Sequence, residues 1–220
     1  MNIDSSQVLE YLYQAPAETS TNPPILFLIH GYGSHEGDLF SFAQYLPKNY
    51  HVIALRAPIS LGEGSYAWYT ITVDENMNKL SMDEDEGIQS RDLINSNIEH
   101  HLKRLNSSRK SVDLLGFSQG AILSWSLGMS YPKLIDRIMA LSGYYNPKLD
   151  QESSESKAEL KCFSSHGIID PVIPLSLARS GIDSLREKGV SVIYKEYDAP
   201  HTISPDNFRD LLNWLQNNEA

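Results

Sequence analysis

The stretch Val112-Asp113-Leu114-Leu115-Gly116-Phe117-Ser118-Gln119-Gly120-Ala121 sets one hydroxyl between two glycines, directly after an apolar run and just before another. Val112 to Leu115 reads as a strand and Ala121 to Met129 as a helix, which makes Gly116-Phe117-Ser118-Gln119-Gly120 a G-x-S-x-G turn between them. The glycines answer a steric need: so sharp a turn brings strand and helix together, and side chains two positions either side of the serine would collide. Ser118 is then carried above the carboxyl edge of a sheet. The helix N-terminus behind it offers backbone N–H groups to developing negative charge. A strand-turn-helix setting of this kind presents a nucleophile.

The pattern on either side of the turn repeats. Ile25 to Ile29 is continuously apolar, as suits a strand covered on both faces; His51 to Leu55, Ile135 to Leu141, Leu160 to Ser164 and Val190 to Tyr194 read the same way. Between them come helical stripes: Leu39, Phe42, Ala43 and Leu46; then Ile94, Ile98, Leu102 and Leu105; then Leu175, Ala178, Ile182 and Leu185, stopped by Gly189. A last helix starts at Ser204 and Pro205 and turns Phe208, Leu211, Leu212 and Leu215 to one face. The alternation predicts an α/β fold with a mostly parallel, doubly wound sheet flanked by helices, in a single domain spanning 1–220. Two polar stretches read as exposed loops: 74–86, whose acidic cluster leads to a helix N-terminus, and 146–157, long enough to edge a site.

Composition narrows the partners. With 18 basic against 28 acidic side chains, the net charge of −10 repels nucleic acid and anionic membranes. The opening MNIDSSQVLEYLYQAPAETS lacks a basic leader with an apolar core, and no apolar run has bilayer length. A soluble, cytoplasmic protein without stable membrane insertion is the expectation. The single cysteine, Cys162, sits in an apolar KCFSSH setting and reads as a buried, inert thiol; no residue spacing suggests a metal site.

A serine hydroxyl needs a base to take its proton and an acid to orient that base. Downstream of Ser118 stand two histidines. His201 lies in a loop beyond the last strand and before the last helix, whereas His166 ends a strand and reads as a structural residue shaping the turn of Asp170. Asp170 follows that strand by a short loop and is the favoured orienting acid. Its rival is Asp198, which is hampered by lying three residues from His201 on the same loop. Oxyanion donors are expected from Gln119 N–H and, in the loop His30-Gly31-Tyr32-Gly33, from Tyr32 N–H. His30 reads as turn-stabilising, and His35, His51, His100 and His101 as surface or packing residues.

His30-Gly31-Tyr32-Gly33, Arg56-Ala57-Pro58, Tyr66-Ala67-Trp68-Tyr69, Gly116-Phe117-Ser118-Gln119-Gly120, His166-Gly167-x-x-Asp170-Pro171 and His201 together resemble the phospholipase/carboxylesterase family of α/β-hydrolases, which includes the acyl-protein thioesterases. The resemblance implies an α/β-hydrolase fold without a large cap domain, a Ser118–Asp170–His201 triad, an oxyanion hole at Tyr32 and Gln119, and an acyl pocket flanked by Tyr66 and Trp68. The chain departs from many relatives at Ala121, where they have a second glycine, and at Ile168, where they have aspartate. The expected activity is that of a cofactor-free carboxylesterase on small acyl esters of short to medium chain length. The alternatives are an acyl-protein thioesterase acting on thioesters, a lysophospholipase, a serine peptidase, and a hydrolase-like binding protein without catalysis. Oligomeric state stays open, a homodimer included.

Overall fold

The computed structural model describes residue 3 and residues 7–18, 21–74 and 79–217. The chain runs through β1 (Tyr11–Gln14), β2 (Ile25–Ile29), α1 (Glu36–Phe40), β3 (His51–Leu55), β4 (Ile59–Gly62), β5 (Ser65–Ala67), β6 (Ile71–Asp74) and β7 (Lys79–Met82). It continues through α2 (Glu84–Arg104), β8 (Val112–Phe117), α3 (Gln119–Ser130), β9 (Ile135–Leu141), β10 (Lys161–Gly167), α4 (Leu175–Glu187), β11 (Val192–Tyr197) and α5 (Pro205–Asn217). The seven-stranded sheet has the order β1-β3-β2-β8-β9-β10-β11, with β1 antiparallel to β3 and every other neighbouring pair parallel. From the boundary between β2 and β8 the parallel strands run outward in both directions, β2 to β3 one way and β8 to β11 the other. Reversal at that boundary opens a crevice beyond the carboxyl ends of the strands, where α/β sheets bind ligands.

Strand periodicity divides the core into two layers. Phe27 and Ile29 of β2 and Ile53 and Leu55 of β3 face Ile94 and Ile98 of α2, Leu123 of α3 and Leu185 of α4. Leu26, Leu28, Val52 and Ala54 face the other way, against Leu39 of α1 and Leu211, Trp214 and Leu215 of α5. Every residue of α3 is buried, so the helix that follows Ser118 is locked between sheet and α2 along its whole length.

Most expected elements are present, with instructive differences. β8 runs two residues beyond Leu115, because Gly116 and Phe117 still pair with Ala140 and Leu141. β10 extends to Gly167 through its pairing with β11. Val190 does not open β11; its N–H bonds Leu185 O and closes the end of α4, with Gly189 at φ +82°. The stripe from Leu39 to Leu46 is not one helix, since α1 stops at Phe40 and a single 3₁₀ turn, Ala43–Tyr45, follows. The stretch 74–86 is not simply a loop: β7 pairs antiparallel with β6, and Asp83 caps α2, accepting from Glu86 N–H at 3.0 Å. Residues 75–78 of that stretch lie outside the described residues. The 146–157 loop does not edge the crevice; Leu149 O accepts from Ser126 Oγ at 2.7 Å, and Ser130 Oγ accepts from Gln151 N–H at 2.8 Å, pinning it to the far end of α3.

Cys162 is buried, which pushes its thiol up to about 12. His101 is also fully buried, packed edge-on to Tyr11 at 4.5 Å; burial lowers it to about 4 and keeps it neutral.

Candidate active site

Ser118 stands between β8 and α3 at φ +54° and ψ −115°, a conformation that costs a non-glycine residue about 1–3 kcal/mol. The surroundings enforce it. Ser118 N–H donates to Leu141 O at 3.0 Å, and Ser118 O accepts from Ala121 and Ile122 N–H at 3.0 and 3.1 Å. A Cβ on Gly116 would lie 2.2 Å from Gly120 O, and one on Gly120 1.9 Å from Ile29 O. Gly120→Ala therefore forces α3 away from β2 and is expected to lower stability by about 3 kcal/mol in urea unfolding. An unchanged midpoint would show that this close approach is dispensable. The methyl of Ala121 is accommodated by Gly143, where a Cβ would come within 2.5 Å of it.

The loop between β11 and α5 brings His201 Nε2 to 3.0 Å from Ser118 Oγ and His201 Nδ1 to 2.7 Å from Asp170 Oδ2. Asp170 is held in turn by its own loop: Oδ1 accepts from Val172 and Ile173 N–H at 2.8 and 2.9 Å. Burial alone would raise this carboxyl. The His201 bond and the two backbone N–H groups outweigh that and hold it below the usual carboxylate range. Facing an ionised carboxylate, Nδ1 carries the imidazole proton, which leaves the Nε2 lone pair to accept from the serine hydroxyl. Asp198 is exposed, and the carboxylate on Nδ1 is that of Asp170.

Gly167 permits the two loops to meet: a Cβ there would lie 2.3 Å from Ala199 O and 2.5 Å from Pro200 O, just before His201. His166 shapes the Asp170 turn as expected. Its Nε2–H donates to Ile173 O at 2.9 Å and lies 3.3 Å from Asp170 Oδ2.

The loop after β2 abuts the serine, since a Cβ on Gly31 would stand 3.1 Å from Ser118 Cβ. This contact sets Tyr32, 45% exposed, beside the elbow, and Gln119 opens α3 immediately after Ser118. His30 is a turn residue: Nδ1–H donates to Gly31 O at 2.8 Å, and Nε2 accepts from Ala57 N–H at 3.1 Å. Burial lowers its pKa. Of the two aromatic residues expected to flank an acyl pocket, Trp68 is placed differently. It is fully buried, and its indole N–H donates to His30 O at 2.9 Å, so it braces the loop rather than lining an open pocket. Tyr66 is half-buried beneath the Arg56 guanidinium, 4.8 Å from its ring centre, and Arg56 is itself paired with Glu36 and Glu10. The side chain of Gln119 has a role the sequence did not disclose: Oε1 accepts from Trp68 N–H at 3.0 Å and Nε2 donates to Tyr69 O at 2.8 Å.

Among the described residues, no three His, Cys, Asp or Glu side chains gather so as to hold a metal ion, and no helix is long and apolar enough to cross a membrane.

A mostly parallel sheet flanked by helices, with a serine on a strained strand-to-helix turn at its switch point, defines an α/β-hydrolase. More narrowly, residues 14–219 match the phospholipase/carboxylesterase family, and the chain belongs to it. It is 27% identical to acyl-protein thioesterase 1 of Mycosarcoma maydis over 95% of this chain and 97% of that one. Among solved structures, the Bacillus cereus carboxylesterase superposes with a TM-score of 0.81 at 18% identity, covering 95% of this chain and 94% of that one. A carboxylesterase from Mesorhizobium loti gives 0.81 at 19% identity, covering 98% of both chains. These two likenesses concern the fold.

Proposed function

We propose that the protein is a serine carboxylesterase that cleaves small esters of short to medium acyl chains through an acyl-enzyme, with Ser118, His201 and Asp170 as triad. The carrying observation is the continuous relay from Ser118 Oγ through His201 to Asp170, at 3.0 and 2.7 Å. Ser118 Oγ attacks the acyl carbonyl carbon as His201 Nε2 takes its proton, and the carbonyl electron pair moves onto oxygen. The N–H groups of Tyr32 and Gln119 stabilise that oxyanion, each by about 3 kcal/mol. Collapse expels the alcohol, protonated by His201. Water then attacks the acyl-serine with His201 as base, releasing the acid and restoring the hydroxyl. Asp170 stabilises the imidazolium throughout. No step calls for a metal or organic cofactor.

A second reading, hydrolysis of acyl thioesters, has its own support. The relative from Mycosarcoma maydis is a thioesterase by name, and Ile168, Ile169 and Val172, around the buried Asp170, expose apolar side chains beside the relay. Measuring kcat/KM on p-nitrophenyl esters and on matched acyl thioesters, from acetyl to palmitoyl, separates the two. The expected optimum falls between butyryl and octanoyl esters; a sharp optimum on palmitoyl thioester overturns the first reading in favour of the second.

A further inference from the structure

Resting on that reading, we infer that the segment from Tyr66 to Thr70 is a spacer that sets the separation of the two oxyanion-hole amides, with the Gln119 carboxamide and the Trp68 indole as its positioning groups. The segment is bonded to both sides of the hole. On one side Tyr66 O accepts from Gly33 N–H at 2.8 Å and Tyr66 N–H donates to Ser34 O at 2.9 Å. The Trp68 indole adds its bond to His30 O at 2.9 Å. Tyr32 thus lies between residues anchored to this one segment. On the other side, the Gln119 carboxamide bonds two successive residues, accepting from Trp68 N–H at 3.0 Å and donating to Tyr69 O at 2.8 Å.

Behind the segment stands α2. Ser90 Oγ donates to Trp68 O, and Glu86 Oε2 accepts from Thr70 N–H at 2.7 Å. A merely satisfied buried glutamine would need partners anywhere. This one grips Trp68 and Tyr69, in the same short segment whose Tyr66 backbone and Trp68 indole hold the loop of the opposite donor. Oxyanion donors act only when fixed about 2.7–3.1 Å from where the charge appears. A strut between them therefore acts on the transition state and not on the bound ester.

Trp68→Phe removes the indole N–H, Gln119→Met removes both carboxamide bonds, and Gln119→Glu keeps the acceptor for Trp68 N–H but sets an oxygen against Tyr69 O. With p-nitrophenyl butyrate, variants that keep the wild-type thermal midpoint are expected to lose about tenfold in kcat, with KM within about twofold. Affinity for an alkyl trifluoromethyl ketone should fall by the same factor. Its carbonyl carbon accepts Ser118 Oγ, the proton passes to His201, and the ketone oxygen becomes the oxyanion. Because Trp68 and Gln119 act through one strut, the double variant Trp68→Phe/Gln119→Met should lose little more than the worse single one. The spacer inference fails if wild type hydrolyses the ester and Ser118→Ala does not, while all three single variants either stay within twofold of wild-type kcat or unfold, or lose activity through KM with ketone affinity unchanged. If wild type is inert, or Ser118→Ala equals it, the underlying reading of the site fails instead.

Discussion

Ser118→Ala is expected to lower kcat for p-nitrophenyl butyrate by about 10⁶, with KM little changed, and to abolish labelling by a fluorophosphonate. The size follows from the geometry. His201 Nε2 points at Ser118 Oγ from 3.0 Å, and no base strength is useful once the atom it deprotonates is gone. Binding and the oxyanion donors remain, so hydrolysis should still exceed the uncatalysed rate by about 10³–10⁴. Stability should change little, because alanine keeps the Cβ and occupies the same strained φ of +54° that Ser118 N–H and O already hold through Leu141, Ala121 and Ile122. A variant that reacts with the fluorophosphonate as wild type does would place the nucleophile elsewhere and leave the hydrolase-like binding protein as the better reading for this turn.

What could be read from the sequence was what is enforced locally or by burial on two faces. β2 and β9 are interior parallel strands and their limits matched: the run of β2 is continuously apolar, and that of β9 is apolar from Ile138 to Leu141 although Asp136 and Arg137 interrupt its start. β1 is the antiparallel edge strand, only four residues long, and its adjacent residues Leu12 and Tyr13 are both substantially exposed, so Tyr11-Leu12-Tyr13-Gln14 carries neither a long apolar run nor an in–out alternation. The acidic cluster marked the start of α2 to within a turn, but not the face that α2 buries there. Glu86, Ser90 and Arg91 are buried through bonds to Thr70 N–H, Trp68 O and Leu149 O, so a polar sequence lies against the core.

The site divides in the same way. Gly116, Gly120 and Gly167 announce themselves because each stands where another backbone leaves no room for a Cβ. The bond from Trp68 N–H to Gln119 spans 51 positions in the chain, and no local spacing encodes it. Trp68 accordingly suggested a pocket wall when it is a brace.

Asp170→Asn is expected to lower kcat by about 10⁴, equivalent to about 5.5 kcal/mol of transition-state stabilisation, while leaving the fold intact. The asparagine would be oriented by its surroundings. Val172 and Ile173 N–H both donate to Oδ1, at 2.8 and 2.9 Å, and so require an oxygen there, which puts the amide NH₂ in the place of Oδ2. That group would then donate toward His201 Nδ1, where the carboxylate accepted at 2.7 Å. An Nδ1 that accepts forces the proton onto Nε2, which faces Ser118 Oγ as a donor and can no longer take its proton. It would also meet the His166 Nε2–H, 3.3 Å from the present Oδ2, donor against donor. The ¹⁵N shifts of His201 check the cause independently of the rate: Nδ1 protonated in wild type, Nε2 protonated in the variant. Activity within tenfold of wild type, with the tautomer unchanged, would remove Asp170 from the triad and return the exposed Asp198 to consideration.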